Sequence, residues 1–571
     1  MTELEYLDQI RRLHERQWPQ GLGKEPHYPF GRVPLSEMLS LWASEQPEKS
    51  AIEFYGKNYS YRWLDEMSTR MAWLLDREGV GQGDRVAIFM PNCPQYHVAF
   101  FGILKLGAVV VPVNPMFREN ELRYELNDTG SRVIVASDAL LAVLQKAKAE
   151  TPLDRIIVTS IGELAPDRPE ISLPAIMANP KHVPDQAIDM LPALEMMTGG
   201  PDISGRATLD ATAAINYTGG STGLPKGCIH TQADMIYTAA TTVPFALQLK
   251  RDSRYLCVLP VFWMAGEVFG VVFPIFAGAT VSLLTRWDVE TAMHVIHHRQ
   301  ITHTTILVDG LVDIMRHPKI NEYDLSSLEH VQSVSFTKKL TPEFRRQWHQ
   351  ITGTTLREVG WGMTETHTCD TMNFGFHAGD FDLSSEPIFV GLPVPGTDFK
   401  ICDFETGALM PIGEKGELCI RSPSMLKAYW NSSEETANAI RNGWLHTGDN
   451  AYFDKGGFLH YLGRQKEMLK VNGMSVFPGE IEAILGQYPH ILCSGVVGRD
   501  DPEKGEVPVA FVILNEDQRT PQGEAAFTEW CRSAISVYKR PDLHFVDDLP
   551  MTDTGKVRKD LLKKRLVGLI G

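Results

Sequence analysis

At 571 residues the chain is well beyond the size at which one hydrophobic core stops growing, so at least two domains are expected. Its 43% hydrophobic and 22% charged composition excludes long disorder, and a formal net charge of −16 argues against nucleic acid or an anionic membrane surface as partner. Any anionic ligand must therefore meet local basic groups.

Residues 1–19 are charged with helical periodicity and lack the apolar core of a signal peptide. From 34 to 136 the pattern alternates: helix 35–46, strands 51–55 and 58–60, helix 62–78, strand 84–89, helix 95–105 and strand 109–112. Such alternation predicts α/β layers around a largely parallel sheet. Residues 151–209, rich in Pro, Asp, Ala and Gly with weak periodicity, read as an irregular surface connection. Beyond them come a glycine-rich run, helix 230–247, strands 255–259 and 280–284, helix 289–299, strand 304–308 and helix 310–317. From about 464 the character shifts to a shorter α+β pattern: helix 479–487, strands 491–497 and 508–514, helix 527–536 and a basic amphipathic helix 556–565. The expected fold is α/β, with a large domain over 1–464 carrying mixed, largely parallel sheets, and a small mobile α+β domain over 465–571.

The apolar stretches 98–113 and 268–284 are broken by Lys105, Gly107, Pro274 and Gly278 and fall short of about 20 uninterrupted residues, so they read as core and not as membrane spans. Eight scattered cysteines without CxxC or His-Cys spacing indicate neither a zinc site nor a disulfide framework, which favours the cytoplasm.

The chemistry centres on residues 217–227, Tyr-Thr-Gly-Gly-Ser-Thr-Gly-Leu-Pro-Lys-Gly, after an apolar run. Gly219, Gly220 and Gly223 let the backbone turn several N–H groups toward one point, Thr218, Ser221 and Thr222 add hydroxyl donors, and Lys226 adds a positive charge. The combination suits a polyphosphate. Pro225 and Gly227 beside Lys226 exclude a Walker A loop, and the same composition also fits a flexible surface loop. The run resembles the signature loop of the adenylate-forming superfamily, which contains acyl-CoA synthetases, peptide-synthetase adenylation domains and beetle luciferases.

Further motifs follow in that family's order. Gly360-Trp-Gly-Met-Thr-Glu365 resembles its second motif, which implies that Trp361 packs on adenine, Thr364 meets the α-phosphate and Glu365 holds Mg²⁺. A flat ring offers stacking area and a carboxylate is the hard oxygen ligand Mg²⁺ prefers. Trp444-Leu-His-Thr-Gly-Asp449 is similar to the third, whose Asp accepts both ribose hydroxyls; Arg464 would reach the same ribose and Lys466 would be the hinge. By the same resemblance Lys470 and Gly473 lie at the CoA site. Residues 549–556, Leu-Pro-Met-Thr-Asp-Thr-Gly-Lys, resemble the last motif, in which Lys556 bridges carboxylate, phosphate and ribose oxygens. The implied activity is an ATP-, Mg²⁺- and CoA-dependent acid–CoA ligase in which Lys226, Thr364, Glu365 and Lys556 carry the first step.

Two departures bear on the acid. Phe262-Trp263 replaces the family's usual Phe-His pair, and 335–340, Ser-Phe-Thr-Lys-Lys-Leu, replaces its Ser-Gly-Gly-Ala-Pro-Leu loop. Trp263, Glu267, Asp309, Lys338, Lys339 and Gly360 fall at expected acyl-pocket positions, with Asp370 and His367 near them. Buried charge beside a hydrocarbon chain is costly, which favours a polar, short or aromatic acid over a long fatty one. Trp263 with Glu267 suits a cationic group and Lys338 with Lys339 a second carboxylate; these predict opposite substrate charge, and the sequence does not choose. Medium- or long-chain acyl-CoA synthesis, loading of a carrier protein, a catalytically inactive binding protein of the same fold and a homodimeric state all stay open.

Overall fold

The computed structural model describes residues 2–218, 224–336, 338–385, 388–472, 474–552 and 555–570. Among these, two seven-stranded sheets dominate the N-terminal part. One runs, edge to edge, Ile188–Asp189, Arg155–Thr159, Val133–Ser137, Arg85–Phe89, Val109–Pro112, Thr212–Tyr217 and Gly227–Thr231. The other runs Leu356–Glu358, His330–Val334, His303–Leu307, Arg254–Cys257, Thr280–Leu283, Ser50–Phe54 and Lys57–Ser60. Both are parallel except at the last pair. Strands such as Val109–Pro112 are buried on both faces, which is why they read as unbroken apolar runs.

Between the sheets lies the helix Pro94–Leu106, with every residue buried, packed against Tyr61–Arg77. One hydrophobic cluster joins side chains from both sheets, including Ile88, Val110, Leu256 and Val281, so the layers form one core. The parallel strands aim their C-terminal ends, and the loops that follow, at a common edge where α/β proteins place their ligands.

A third sheet is antiparallel: Thr371–Met372, Ile388–Pro393, Leu459–Arg464, Trp444–Phe453, Gly416–Arg421 and Asp398–Cys402. The helix Glu3–Gln17 packs on it through Tyr6, Leu7 and Ile10, and Arg11 bonds Asp398 at 2.8 Å. Arg464 ends its strand and the turn Gln465–Glu467 follows; the chain also has a smaller C-terminal domain. There Met474–Val476, Leu469–Val471, Gly505–Leu514, Ile491–Asp501 and Asp542–Phe545 form a five-stranded sheet, with the helices Pro478–Leu485, Pro521–Ala534 and Lys559–Ile570.

Several sequence expectations are corrected. Residues 151–209 are irregular only in part: Arg155–Thr159 is a sheet strand and Met190–Met196 a helix, because the short Ile-Ile-Val run is buried against its neighbours. The expected helix 230–247 begins as a strand, Gly227–Thr231, and turns helical at Gln232, where Thr231 caps it. The last helix starts at Lys559, so Lys556 stands ahead of it. No helix among the described residues is long and apolar enough to cross a membrane.

Candidate active site

The strands Thr212–Tyr217 and Gly227–Thr231 pair antiparallel, so Tyr217 and Gly227, the root of the glycine-rich run, lie side by side at the sheet edge. Gly219, Gly220, Ser221, Thr222 and Gly223 lie outside the described residues, as does Gly473. The root is closed by Thr218, whose N–H donates to the Lys226 carbonyl at 3.0 Å and whose Oγ1 accepts the Lys226 N–H at 3.2 Å. The Lys226 ammonium sits 4.4 Å over the Tyr429 ring and 2.9 Å from Glu435. Both ends of that ion pair are more than a third exposed, so it is worth at most about 1 kcal/mol and exchanges readily for a phosphate.

Tyr429 also donates its hydroxyl to Glu365 Oε1 at 2.9 Å. That leaves the second Glu365 oxygen for another ligand. Glu365 belongs to a short turn, Thr364–Thr366, reached through Gly360, where a Cβ would sit 2.2 Å from the Thr371 carbonyl oxygen; only glycine fits. Three successive non-glycine residues, His367, Thr368 and Cys369, hold φ of 58°, 57° and 60°. Each such left-handed residue costs about 1 kcal/mol. The bonds from Asp370 N and Thr371 N to the Trp361 carbonyl, at 2.9 and 3.2 Å, lock the turn. The Thr364 carbonyl lies 2.8 Å from His230 Nε2, which donates to it in that tautomer.

The ribose candidates meet by register, since Asp449 and Arg464 are cross-strand partners. Asp449 Oδ2 accepts the Trp361 indole N–H at 3.0 Å, and Oδ1 lies 2.9 Å from Arg464 Nε. That second oxygen is buried yet receives no well-directed hydrogen bond, so it is open to a hydroxyl donor. Burial pushes the Asp449 carboxyl up to about 6, against the opposing pull of Arg464. Trp361 is only 8% exposed and packs edge-on against Phe399, so its free face is narrow.

Lys556 Nζ reaches the same cleft from the C-terminal domain, 4.8 Å over the Phe336 ring. It is solvent-exposed in the open cleft, yet protein surrounds it: desolvation first, then the repulsion of Arg464 and Lys339, lowers its pKa. Lys466 is exposed in the Gln465–Glu467 turn. Lys226, Glu365, Tyr429, Asp449, Arg464 and Lys556 line one cavity of about 2230 Å³, as do Phe336 and Lys466. That exceeds the roughly 300–1,000 Å³ of a single small-ligand pocket and leaves room for more than one substrate.

Phe262, Trp263, Met264 and Phe269 form an aromatic and apolar wall of this cavity, with Phe262 and Trp263 edge-to-face at 5.6 Å. Five residues expected at or near the site do not line it: Glu267, Asp309, His367, Asp370 and Lys470. Glu267 is fully buried behind the wall, accepting from Asn216 at 2.8 Å with His367 at 3.8 Å, so it does not join Trp263 in facing a ligand. Asp370 accepts from Thr366, and burial holds its carboxyl well above the usual range. Asp309 takes the Lys338 backbone N–H and faces its side chain, while Lys470 bonds Ser475. Packing turned these charges away from the pocket. Conversely, Tyr429, Glu435, His230 and Phe336 belong to the site through tertiary contacts that no local motif announces.

The family model for AMP-binding enzymes matches residues 39–430, and that for their C-terminal domain residues 480–556. The chain belongs to the AMP-binding enzyme family. Among its relatives, a long-chain-fatty-acid–CoA ligase of Bacillus subtilis (strain 168) is 30% identical, covering 95% of this chain and 96% of the relative. A 4-coumarate–CoA ligase of Pinus taeda is 29% identical over 89% and 90%. The fold matches a crystal structure of an anthranilate CoA ligase in complex with anthranoyl-AMP, with a TM-score of 0.81 at 24% identity over 94% of this chain and 98% of that one. For an AMP-binding enzyme the donor set fits: the orphaned Asp449 oxygen suits a ribose hydroxyl, and the half-occupied Glu365 carboxylate suits Mg²⁺, which takes few protein ligands.

Proposed function

We propose that this acid–CoA ligase, which uses ATP, Mg²⁺ and CoA, activates a carboxylic acid with a compact aromatic or apolar tail. The observation that carries the substrate class is the Phe262, Trp263, Met264 and Phe269 wall, behind which Glu267 and Asp370 are held by internal partners. Asn216 and Thr242, each with a buried oxygen that has no partner, also line the cavity and would suit a small polar substituent on such a tail. Lys338 and Lys339 do line the cavity, but Lys338 faces Asp309 and Lys339 donates to the Ser335 carbonyl at 3.0 Å, so neither is reserved for a second substrate carboxylate.

In the first half-reaction the substrate carboxylate attacks the α-phosphorus of ATP and the bond to pyrophosphate breaks, giving acyl-AMP. No base is needed, because the acid is already ionised at neutral pH. Lys226, Thr218 and the glycine-rich run would hold the phosphates, Asp449 with Arg464 the ribose, and Lys556 the oxygens between acid and α-phosphate, where negative charge is shared in the transition state. Glu365 would hold Mg²⁺, which supplies charge neutralisation on the phosphates. In the second, the CoA thiol attacks the activated carbonyl and AMP leaves. Rotation about the Gln465–Glu467 turn would withdraw Lys556 and let one cleft serve both steps. The boundary after Arg464, the hinge role of Lys466 and the CoA contacts of Lys470 and Gly473 are part of this reading. So is a cytoplasmic location.

A panel of fatty, aromatic, dicarboxylic, hydroxy and betaine acids, followed by pyrophosphate release with and without CoA, tests it. Aromatic or short branched acids should give the highest kcat/KM. A preference for long-chain fatty acids, or for betaines or diacids, would overturn the substrate class and leave the reaction standing.

A further inference from the structure

Within the sharpest departure from the family pattern, residues 335–340, Phe336 and Lys339 face the C-terminal domain. Glu358 clamps the root of this loop: it accepts Ser335 N at 2.8 Å, Ser335 Oγ at 2.7 Å and Ser333 Oγ at 2.9 Å, and Ser335 Oγ in turn accepts Leu340 N at 3.0 Å. From this fixed root two side chains cross the cleft. The Lys339 stem abuts Gly486, just past the helix Pro478–Leu485: a Cβ built at Gly486 would lie 2.8 Å from Lys339 Cγ and 3.2 Å from its Cβ. Its ammonium, turned back onto the Ser335 carbonyl, is attracted by Glu482 of the same helix, and Glu482 lies 3.1 Å from Lys559. Phe336, still 37% exposed, offers its ring face to the Lys556 ammonium at 4.8 Å.

These contacts come at a place where Lys556 needs them. Arg464 and Lys339 repel it, Asp449 and Glu467 attract it, and its own chain is a flexible four-carbon stem. A ring face beneath the ammonium fixes its position without neutralising its charge. The Ser-Gly-Gly-Ala-Pro-Leu loop to which this segment corresponds offers neither the ring nor the long stem.

We propose that Phe336 and Lys339 are positioning residues that dock the C-terminal domain in the arrangement presenting Lys556 to the adenylation site, favouring the first half-reaction over the second. The inference rests on the two-step ligase reading above. It explains why a loop expected to wall the acyl pocket carries Phe336 and Lys339: the ring meets Lys556 and the lysine stem meets Gly486 on the other domain, whereas Lys338 faces Asp309.

Two experiments test it. In the first, Lys339→Cys is combined with Gly486→Cys; Gly486 has φ of −60°, so its backbone accepts a side chain, and the 3.2 Å between the two Cβ positions is a few tenths of an ångström short of the roughly 3.5–4.5 Å a disulfide spans, a gap that a slight outward shift of the helix end supplies. Oxidation should cross-link the pair, preserve acyl-AMP formation in a single turnover, and block thioester formation from pre-made acyl-adenylate until dithiothreitol is added. In the second, ATP–pyrophosphate exchange and acyl transfer from pre-made adenylate to CoA are measured separately, using the most active acid of the panel. Phe336→Leu should slow exchange about fivefold with transfer unchanged or faster, Phe336→Tyr should restore it, and Lys339→Ala, which removes the stem, should behave like Phe336→Leu, with Lys339→Met retaining more exchange. Equal loss of both half-reactions, or no rescue by tyrosine, would show a merely structural loop and overturn the proposal. A wild type silent with every acid would refute the ligase reading; the cross-link yield would still decide the docking, and absence of cross-linking would refute it.

Discussion

Replacing Asp449 by Asn keeps the shape of the side chain and removes its charge. In the structure one oxygen holds the Trp361 indole and the other faces Arg464 with hydrogen-bonding capacity to spare. If two ribose hydroxyls donate to the carboxylate, each charge-assisted bond that becomes neutral loses roughly 1–1.5 kcal/mol. Together that is about 2–3 kcal/mol, or about 30- to 150-fold in kcat/KM for ATP. A second signature separates this from misfolding. Because burial pushes the Asp449 carboxyl up to about 6, the wild type has the carboxylate only above that pH, and kcat/KM for ATP should fall tenfold per unit below it. Asp449→Asn should be flat across the same range. By linkage, a folded-state pKa above the unfolded value of about 3.9 means that stability from this group is full below about 4 and lost as pH rises to about 6, so the amide should not destabilise the protein at pH 7. The assay is pyrophosphate release against ATP, 2′-deoxy-ATP and 3′-deoxy-ATP. The wild type should discriminate against both deoxy analogues and the variant much less. Less than a threefold loss, or unchanged discrimination, would refute the ribose assignment.

Lys556→Ala should reduce pyrophosphate release at least 100-fold while transfer from pre-made adenylate to CoA stays within about threefold. Its pKa is depressed, so the required ammonium is lost as pH rises and adenylation should decline below the usual lysine value near 10.4; Lys556→Arg should remove that alkaline limb. Tyr429→Phe releases Glu365 Oε1, and the Mg²⁺ concentration for half-maximal adenylation should rise about tenfold, read from a Mg²⁺ titration. Trp263→Ala opens the apolar wall and should shift relative kcat/KM at least tenfold toward bulkier acids, measured across a homologous series.

The helices Tyr61–Arg77 and Pro94–Leu106 and the buried parallel strands were legible because length and hydrophobic pattern agree there. The antiparallel sheet over 371–464 was not, because its longest strand, Trp444–Phe453, contains a Thr-Gly-Asp that reads locally as a turn. Lys226, Glu365, Asp449, Arg464 and Lys556 could be found because each sits in a run of fixed composition, and the structure places them around one cavity. Tyr429 and Glu435 reach the site across 64 and 209 positions, as does Phe336 through Lys556, and no periodicity encodes such contacts. Glu267 and Asp370 stood at plausible positions; their side-chain direction was set by Asn216 and Thr366, which only tertiary packing reveals.

The most direct test of the two-step account is to quantify AMP, pyrophosphate and acyl-CoA together, with ATP, Mg²⁺, CoA and the best acid of the panel. The account predicts the three products in equal amounts, with pyrophosphate release stopping near one equivalent per enzyme when CoA is left out. Formation of ADP and phosphate, or silence across every acid with wild type and Lys556→Ala alike, would contradict it.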